Sequence, residues 1–167
     1  AGLDRIYKID PKSFTLDPNS AKIETLSAGL SRPMSLAFDS SGELYVAEWG
    51  RGQISTVNVK NGSVKRTGTE FSRSVDITFD SSGTMYVASD DEVFRVNSST
   101  GDFNSLAKGI NQPKGLAFDN NENMLYVTSG DKVFRVEPFA SPEGGPGSGE
   151  YTEIARGLDK PRGLAFD

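Results

Sequence analysis

The sequence predicts an all-β protein in which a unit of four short antiparallel strands is repeated along the chain. Three observations support this prediction. Closely similar strings recur with their Phe at positions 38, 79, 118 and 166, so the repeat is about 40 residues long. Each unit carries the same apolar stretches in the same order, separated by Gly, Asn, Asp, Ser or Pro. Equivalent turns also share their residues. Four-stranded units of this length are typical of the blades of a β-propeller.

The first two stretches of a unit, strands A and B, carry apolar residues on both faces, which suits a blade packed between two others. Strand A is predicted at 35–38, 76–79, 115–118 and 163–166, and strand B at 43–47, 84–88 and 124–128. An Asp opens each A–B link, and we expect its side chain to accept hydrogen bonds from the turn. These acids are Asp39, Asp80, Asp119 and Asp167. A Gly at positive φ is expected in the first two links, and Asn replaces it in the third.

The other two stretches, strands C and D, form a hairpin in each unit. Strand C is predicted at 5–10, 53–58, 92–97 and 132–137, and strand D at 21–26, 62–67, 101–106 and 151–156. Asn61-Gly62 is the strongest hairpin signal among the C–D links. An insertion at 139–150 lengthens the last of these links, and its Gly-rich composition predicts a flexible loop.

The strand order from the N-terminus is therefore C-D-A-B three times, followed by C-D-A. About four blades are present and one B strand is missing. We expect residues 1–167 to form a single β-propeller domain or a partial propeller, as a segment of a ring of roughly five to seven blades. A β-sandwich is the alternative fold, but it does not explain why strand order and turn residues repeat from unit to unit.

Composition limits the chemistry. The chain has no Cys and no His, which removes disulfides, thiolate ligands, imidazole zinc sites and the Ser-His-Asp triad. Its 18 Lys and Arg against 23 Asp and Glu give a net charge of −5, which disfavours nucleic acid as a partner. No apolar run approaches the ~20 residues that span a bilayer, so we expect no membrane insertion.

In an antiparallel meander, the D–A and B–C links lie on one rim of the propeller, here called the upper rim. It is the richer of the two rims in candidate binding residues. Trp49 is the chain's only tryptophan and is the predicted anchor for a protein or carbohydrate ligand, because Trp and Arg are enriched at interaction hot spots. The candidate binding residues are Trp49, Glu48, Arg51, Arg32, Met34, Arg73, Lys114 and Arg162.

Three acids of the same rim are candidate ligands for Ca²⁺ or another divalent cation, since carboxylate oxygens suit hard cations. They are Asp76, Asp90 and Asp91. Of the four positions equivalent to Asp76, only Asp76 itself is a carboxylate, and surface-turn acids are the alternative interpretation.

The strings at 113–119, 161–167 and 44–50 (PKGLAFD, PRGLAFD and LYVAEWG) resemble the NHL-type repeats of six-bladed propellers. They are also similar to gluconolactonase, strictosidine-synthase-like and virginiamycin-B-lyase propellers. Resemblance to the gluconolactonase group implies a divalent ion near the axis, held by carboxylates and an Asn, that promotes lactone hydrolysis. Resemblance to the lyase group implies a histidine base, which this chain lacks.

Three functional hypotheses remain open. The first is a non-catalytic propeller that binds a protein or carbohydrate on the upper rim. The second is a metal-dependent, lactonase-like hydrolase or a fragment of one. The third is a structural segment that self-associates to complete the ring. The family resemblance and the Ser/Asn/Gly-rich loops favour an extracellular or periplasmic location.

Overall fold

The computed structural model describes residues 4–10, 22–138 and 149–166. The described residues contain no helix, and hence none that could cross a membrane. They form fourteen strands: β1 (Arg5–Ile9), β2 (Ile23–Ala28), β3 (Pro33–Phe38), β4 (Leu44–Glu48), β5 (Gln53–Val57), β6 (Val64–Glu70), β7 (Ser74–Phe79), β8 (Met85–Ser89), β9 (Glu92–Val96), β10 (Phe103–Lys108), β11 (Pro113–Asp119), β12 (Met124–Ser129), β13 (Lys132–Val136) and β14 (Tyr151–Ala155).

These strands form three four-stranded antiparallel sheets and one two-stranded sheet. The larger sheets are blade 1 (β3 to β6), blade 2 (β7 to β10) and blade 3 (β11 to β14), and β1 pairs with β2. Each blade runs A-B-C-D from one edge to the other, as predicted, and β1 and β2 are strands C and D of a preceding unit. Strand β7 contacts both β3 and β11, so the A strands of successive blades are neighbours. The predicted fold, a partial β-propeller of about four blades, is confirmed.

The hydrophobic core lies between the blades. One cluster joins Tyr45 and Ile54 of blade 1 to Ile77 and Met85 of blade 2, and a second cluster joins blade 2 to blade 3 in the same way. Aromatic contacts repeat with the blades. The Tyr of one B strand packs on the Phe of the next A strand, with ring centroids 5.0 Å apart for Tyr45–Phe79 and 5.2 Å for Tyr86–Phe118, and Tyr126 packs in the same way on Phe166, at 5.1 Å. Both faces of blade 2 are therefore buried by its neighbours.

The structure corrects three strand predictions. The A strands β3, β7 and β11 each begin two residues earlier than predicted. The predicted A strand at 163–166 has no strand conformation, although Phe166 lies where an A-strand Phe packs in the other blades. Three of the D strands begin about two residues later than predicted. In two of these hairpins the cause is visible, because Gly62 and Gly101, at φ 72° and 81°, donate their N–H groups to Asn58 and Asn97 and so belong to the turns. Residues 139–148 of the predicted insertion lie outside the described residues.

Three of the A–B links confirm the structural role expected for their Asp residues, and Asp167 lies outside the described residues. Asp80 Oδ1 accepts hydrogen bonds from Ser82 N, Ser82 Oγ and Thr84 N at 2.6–2.9 Å, and its Oδ2 accepts one from the buried Tyr86 hydroxyl at 3.1 Å. Asp39 and Asp119 accept bonds from their own turns in the same way. In the third link, Asn123 takes the left-handed conformation at φ 57°, as predicted for a turn without Gly.

We predict that Asp80→Ala lowers the free energy of unfolding by about 2 kcal/mol or more, because it leaves the Tyr86 hydroxyl and two turn N–H groups without their acceptor. Asp119→Ala is the matched control. Among the described residues, Asp119 accepts side-chain hydrogen bonds from Asn121 N and Glu122 N alone, and the tyrosine of that blade, Tyr126, donates to Glu122 instead. Urea unfolding should therefore show a smaller loss, about 1 kcal/mol, for the control. Equal losses would contradict this assignment.

Candidate functional site on the upper rim

The upper rim is built from links that hydrogen-bond to one another. Gly50 N donates to Ser31 O, Gly109 N to Asp91 O and Leu158 N to Asp131 O, each at 3.0 Å. In each pair, one residue belongs to a D–A link and the other to a B–C turn. The two kinds of link therefore share one rim, as strand order alone predicted.

Glu48 is buried at the base of this rim. Its side chain is 0% exposed, Oε1 accepts a 2.5 Å hydrogen bond from Ser55 Oγ, and Oε2 accepts one from Ser31 N at 2.7 Å. The half-exposed Arg51 lies 3.5 Å from Oε2 and supplies the counter-charge. Both carboxylate oxygens are thus engaged within the protein, so Glu48 fixes the D–A link against the B–C turn and does not face the surface.

Arg32 and Trp49 belong to the same two links and are more exposed than Glu48. The Arg32 guanidinium lies 5.0 Å from the centroid of the partly buried Trp49 ring, a cation–π contact. Trp49 N donates to Arg32 O at 3.1 Å, and Arg32 N donates to Asp4 Oδ1 at 2.9 Å. The backbones of both residues are therefore held in place, and the stacked pair is presented on an ordered part of the rim.

A second group of predicted residues meets in a cleft of about 290 Å³ between blade 3 and the segment at 161–166. This cationic cleft is lined by Asn111, Gln112, Lys114, Lys160, Pro161 and Arg162. Gly115 explains how closely the last segment approaches β11, because a Cβ at this position would lie 2.0 Å from Arg162 O. Lys160 was missed in the sequence, although it precedes Pro161 as Arg32 precedes Pro33.

Asp76 lies among the A strands of three blades. It sits on β7, its Oδ1 accepts a hydrogen bond from Ser35 Oγ of β3, and its Oδ2 accepts one from Leu116 N of β11 at 2.6 Å. Burial raises the pKa of Asp76 above its ordinary value of 3.8, and these bonds offset that effect only in part. Through these hydrogen bonds, the Asp76 carboxyl group links the A strands of blades 1, 2 and 3.

The candidate metal ligands are not brought together. Asp90 and Asp91 lie in the β8–β9 turn, where Asp91 Oδ1 accepts a hydrogen bond from Gln112 N at 3.0 Å. Within the described ranges, no group of three or more acidic side chains is placed to hold a metal ion. The remaining predicted residues, Met34 and Arg73, are exposed at or beside the start of their A strands. The divalent-cation site stays a prediction.

Comparison with known proteins identifies the fold. No family model and no curated protein sequence matches the chain. A chain in the crystal structure of the nidogen–laminin complex has a TM-score of 0.78 at 18% identity, and the match covers 100% of this chain and 64% of that one. A gluconolactonase from Xanthomonas campestris gives a TM-score of 0.70 at 17% identity, with coverages of 89% and 57%.

A third similar structure is a catalytically inactive virginiamycin B lyase from Staphylococcus aureus with quinupristin. Its TM-score is 0.68 at 21% identity, and the match covers 97% of this chain and 53% of the lyase. The chain thus spans between about half and two thirds of the length of these structures. They confirm the resemblance to gluconolactonase-like and lyase-like propellers at the level of the fold.

We predict that Asp76 makes stability depend on pH in the opposite direction to Asp80. Because the folded-state pKa of Asp76 is raised, its contribution to the free energy of unfolding is full below pH 3.8 and declines as pH rises through the raised pKa. For Asp80, burial acts to raise the pKa, but the bonds donated by Ser82, Thr84 and Tyr86 outweigh it, so the pKa is lowered. The contribution of Asp80 is present above pH 3.8 and is lost as pH falls.

Urea unfolding of the wild type and of Asp76→Asn, between about pH 4 and pH 7, tests this sign. The stability of the wild type relative to Asp76→Asn should fall as pH rises. The stability of the wild type relative to Asp80→Asn should instead fall as the solution is acidified from about pH 4 towards pH 2, because the pKa of Asp80 is lowered below 3.8. If the stability of the wild type relative to each Asn variant changed with pH in the same direction for Asp76 and Asp80, the two sites would not differ as described.

Proposed function

We propose that this chain is a non-catalytic binding module whose upper rim takes a partner protein, with the Arg32–Trp49 pair as the anchor. The observation that carries the proposal is the stacked pair itself. Its backbone is held by hydrogen bonds to Asp4 and between the two residues, so little conformational freedom is lost when a partner binds. Trp and Arg are also the residue types that most often dominate interface energetics.

The geometry favours a protein over a carbohydrate. The Arg32 guanidinium lies over one face of the Trp49 ring, so a sugar stacking on that face would have to displace the cation. A protein partner can instead use the ring edge together with the exposed guanidinium, which donates to carboxylate or carbonyl oxygens. The nidogen–laminin complex supports this preference, because one protein of similar fold is there part of a complex between two proteins.

Peptides selected for binding to the immobilised chain by phage display supply a probe for this test. We predict that Trp49→Ala weakens the binding of these peptides by about 2 kcal/mol or more, because a buried aromatic contact at the centre of the interface is lost. Fluorescence anisotropy of a labelled peptide measures the change.

Tyr7→Ala is the matched control for this experiment. Tyr7 is also a large aromatic residue and is 53% exposed, but it lies on β1, outside the D–A and B–C links. Its removal should leave affinity unchanged within about 0.5 kcal/mol. Peptides that bind Trp49→Ala as tightly as the wild type would reject the anchor.

A further inference from the structure

We propose that the cationic cleft between blade 3 and the segment at 161–166 is a carboxylate-binding subsite that takes acidic side chains of the partner protein. The inference rests on the proposed function, because it names the chemistry of a partner on the same rim. It depends on different residues, however, since the Arg32–Trp49 pair belongs to blade 1 and the cleft to blade 3 and the segment that follows it.

The charge of the cleft selects an anion. Lys114, Lys160 and Arg162 contribute three positive charges to its lining, and none of the residues described as lining it is acidic. The cleft is therefore positively charged, although the whole chain has a net charge of −5. A short acidic segment can enter such a cleft, whereas an extended polyanion would also meet the negative charge of the rest of the surface.

The three cations are available to a ligand. Each is exposed, and none is ion-paired with an acid in the described part of the chain. Other cations of the same blade differ, because Lys132 and Arg156 both pair with Glu153, at 2.7 and 2.5 Å. Asp91 lies beside the cleft, but one of its oxygens is engaged by the Gln112 N–H group. A carboxylate entering the cleft therefore displaces no ion pair of the cleft cations that the structure shows.

The backbone favours carboxylate over phosphate. Phosphate sites usually present several free backbone N–H groups in a concave loop. Here two backbone N–H groups of these loops are engaged within the protein, because Gln112 N donates to Asp91 and Leu158 N donates to Asp131 O. The charged groups of the cleft are a guanidinium and two ammonium groups. This set matches one or two carboxylates, which a guanidinium can bind through two parallel hydrogen bonds.

An acidic peptide tests the assignment directly. N-acetylated hexaglutamate should bind the full chain at low salt in isothermal titration calorimetry, and hexaglutamine should not. We expect the triple variant Lys114→Gln, Lys160→Gln, Arg162→Gln to weaken binding by at least about tenfold. Raising the salt from roughly 20 to 200 mM should also weaken binding to the wild type. In two-dimensional NMR, amides of residues 111–114 and 158–163 should shift on titration.

The matched control is Lys60→Gln, Lys65→Gln, Arg66→Gln, which removes the same charge from exposed residues in and next to a C–D link on the opposite rim. It should change affinity by no more than about twofold. Equal weakening in both triple variants would show a non-specific charge effect and overturn the proposal. Unchanged binding in the cleft variant would overturn it too, as would inorganic phosphate that displaces hexaglutamate at equal concentration.

The experiments can reject either of the two proposals about the upper rim without rejecting the other. Trp49→Ala should leave hexaglutamate binding unchanged, because the peptide needs only the cleft. If Trp49→Ala does not change the affinity of the selected peptides, while hexaglutamate binding still requires the cleft cations, the anchor proposal is rejected and the subsite proposal is supported. If Trp49→Ala weakens peptide binding, while the cleft variant binds hexaglutamate as the wild type does, the subsite proposal is rejected and the anchor proposal is supported.

Discussion

The contact between a tyrosine on one blade and a phenylalanine on the next is the interaction on which the architecture depends. It recurs at 5.0–5.2 Å in three successive places. The first two contacts join a B strand to the following A strand, and the third joins Tyr126 to Phe166 in the last segment, which is not a strand. A blade that buries apolar side chains on both faces cannot be stable by itself, so these contacts couple the blades into one cooperative unit. Phe38 occupies the same position on β3 but is 59% exposed, and no ring in the described residues stacks on it.

Strand order could be predicted because its signals are local. Each A–B link carries its own Asp, and the structure shows these side chains bonded within their own turns. Strand ends were less accurate, since Gly62 and Gly101 are compatible with a strand until their N–H groups are seen to close the turns. The segment at 163–166 shows the limit of this reasoning. Its sequence is that of an A strand, but a strand also needs a hydrogen-bonded neighbour, and none of the strands in the described residues pairs with it.

The strand order predicts which links form the upper rim, but it does not predict the roles of the residues there. Glu48 stands beside Trp49 and so was grouped with the binding residues, but its carboxylate accepts hydrogen bonds from Ser31 and Ser55, which are 17 and 7 residues away. Asp76 likewise has partners on β3 and β11, about 40 residues away on either side. Such contacts between blades cannot be derived from spacing within one unit. Lys160 could have been found, because the repeat aligns it with Arg32.

The upper rim can vary in sequence because its backbone is fixed by other residues. Arg32, Gln112 and Lys160 occupy the same repeat position and adopt the same left-handed conformation, at φ 48° to 49°. This conformation is costly for residues other than Gly, and carboxylates of neighbouring units hold two of them, Asp4 for Arg32 and Asp91 for Gln112. Arg73 holds the same repeat position in blade 2 without a positive φ, so three of the four units share this conformation. Each blade can present a different group at this position, so binding specificity can change at the rim without changing the fold.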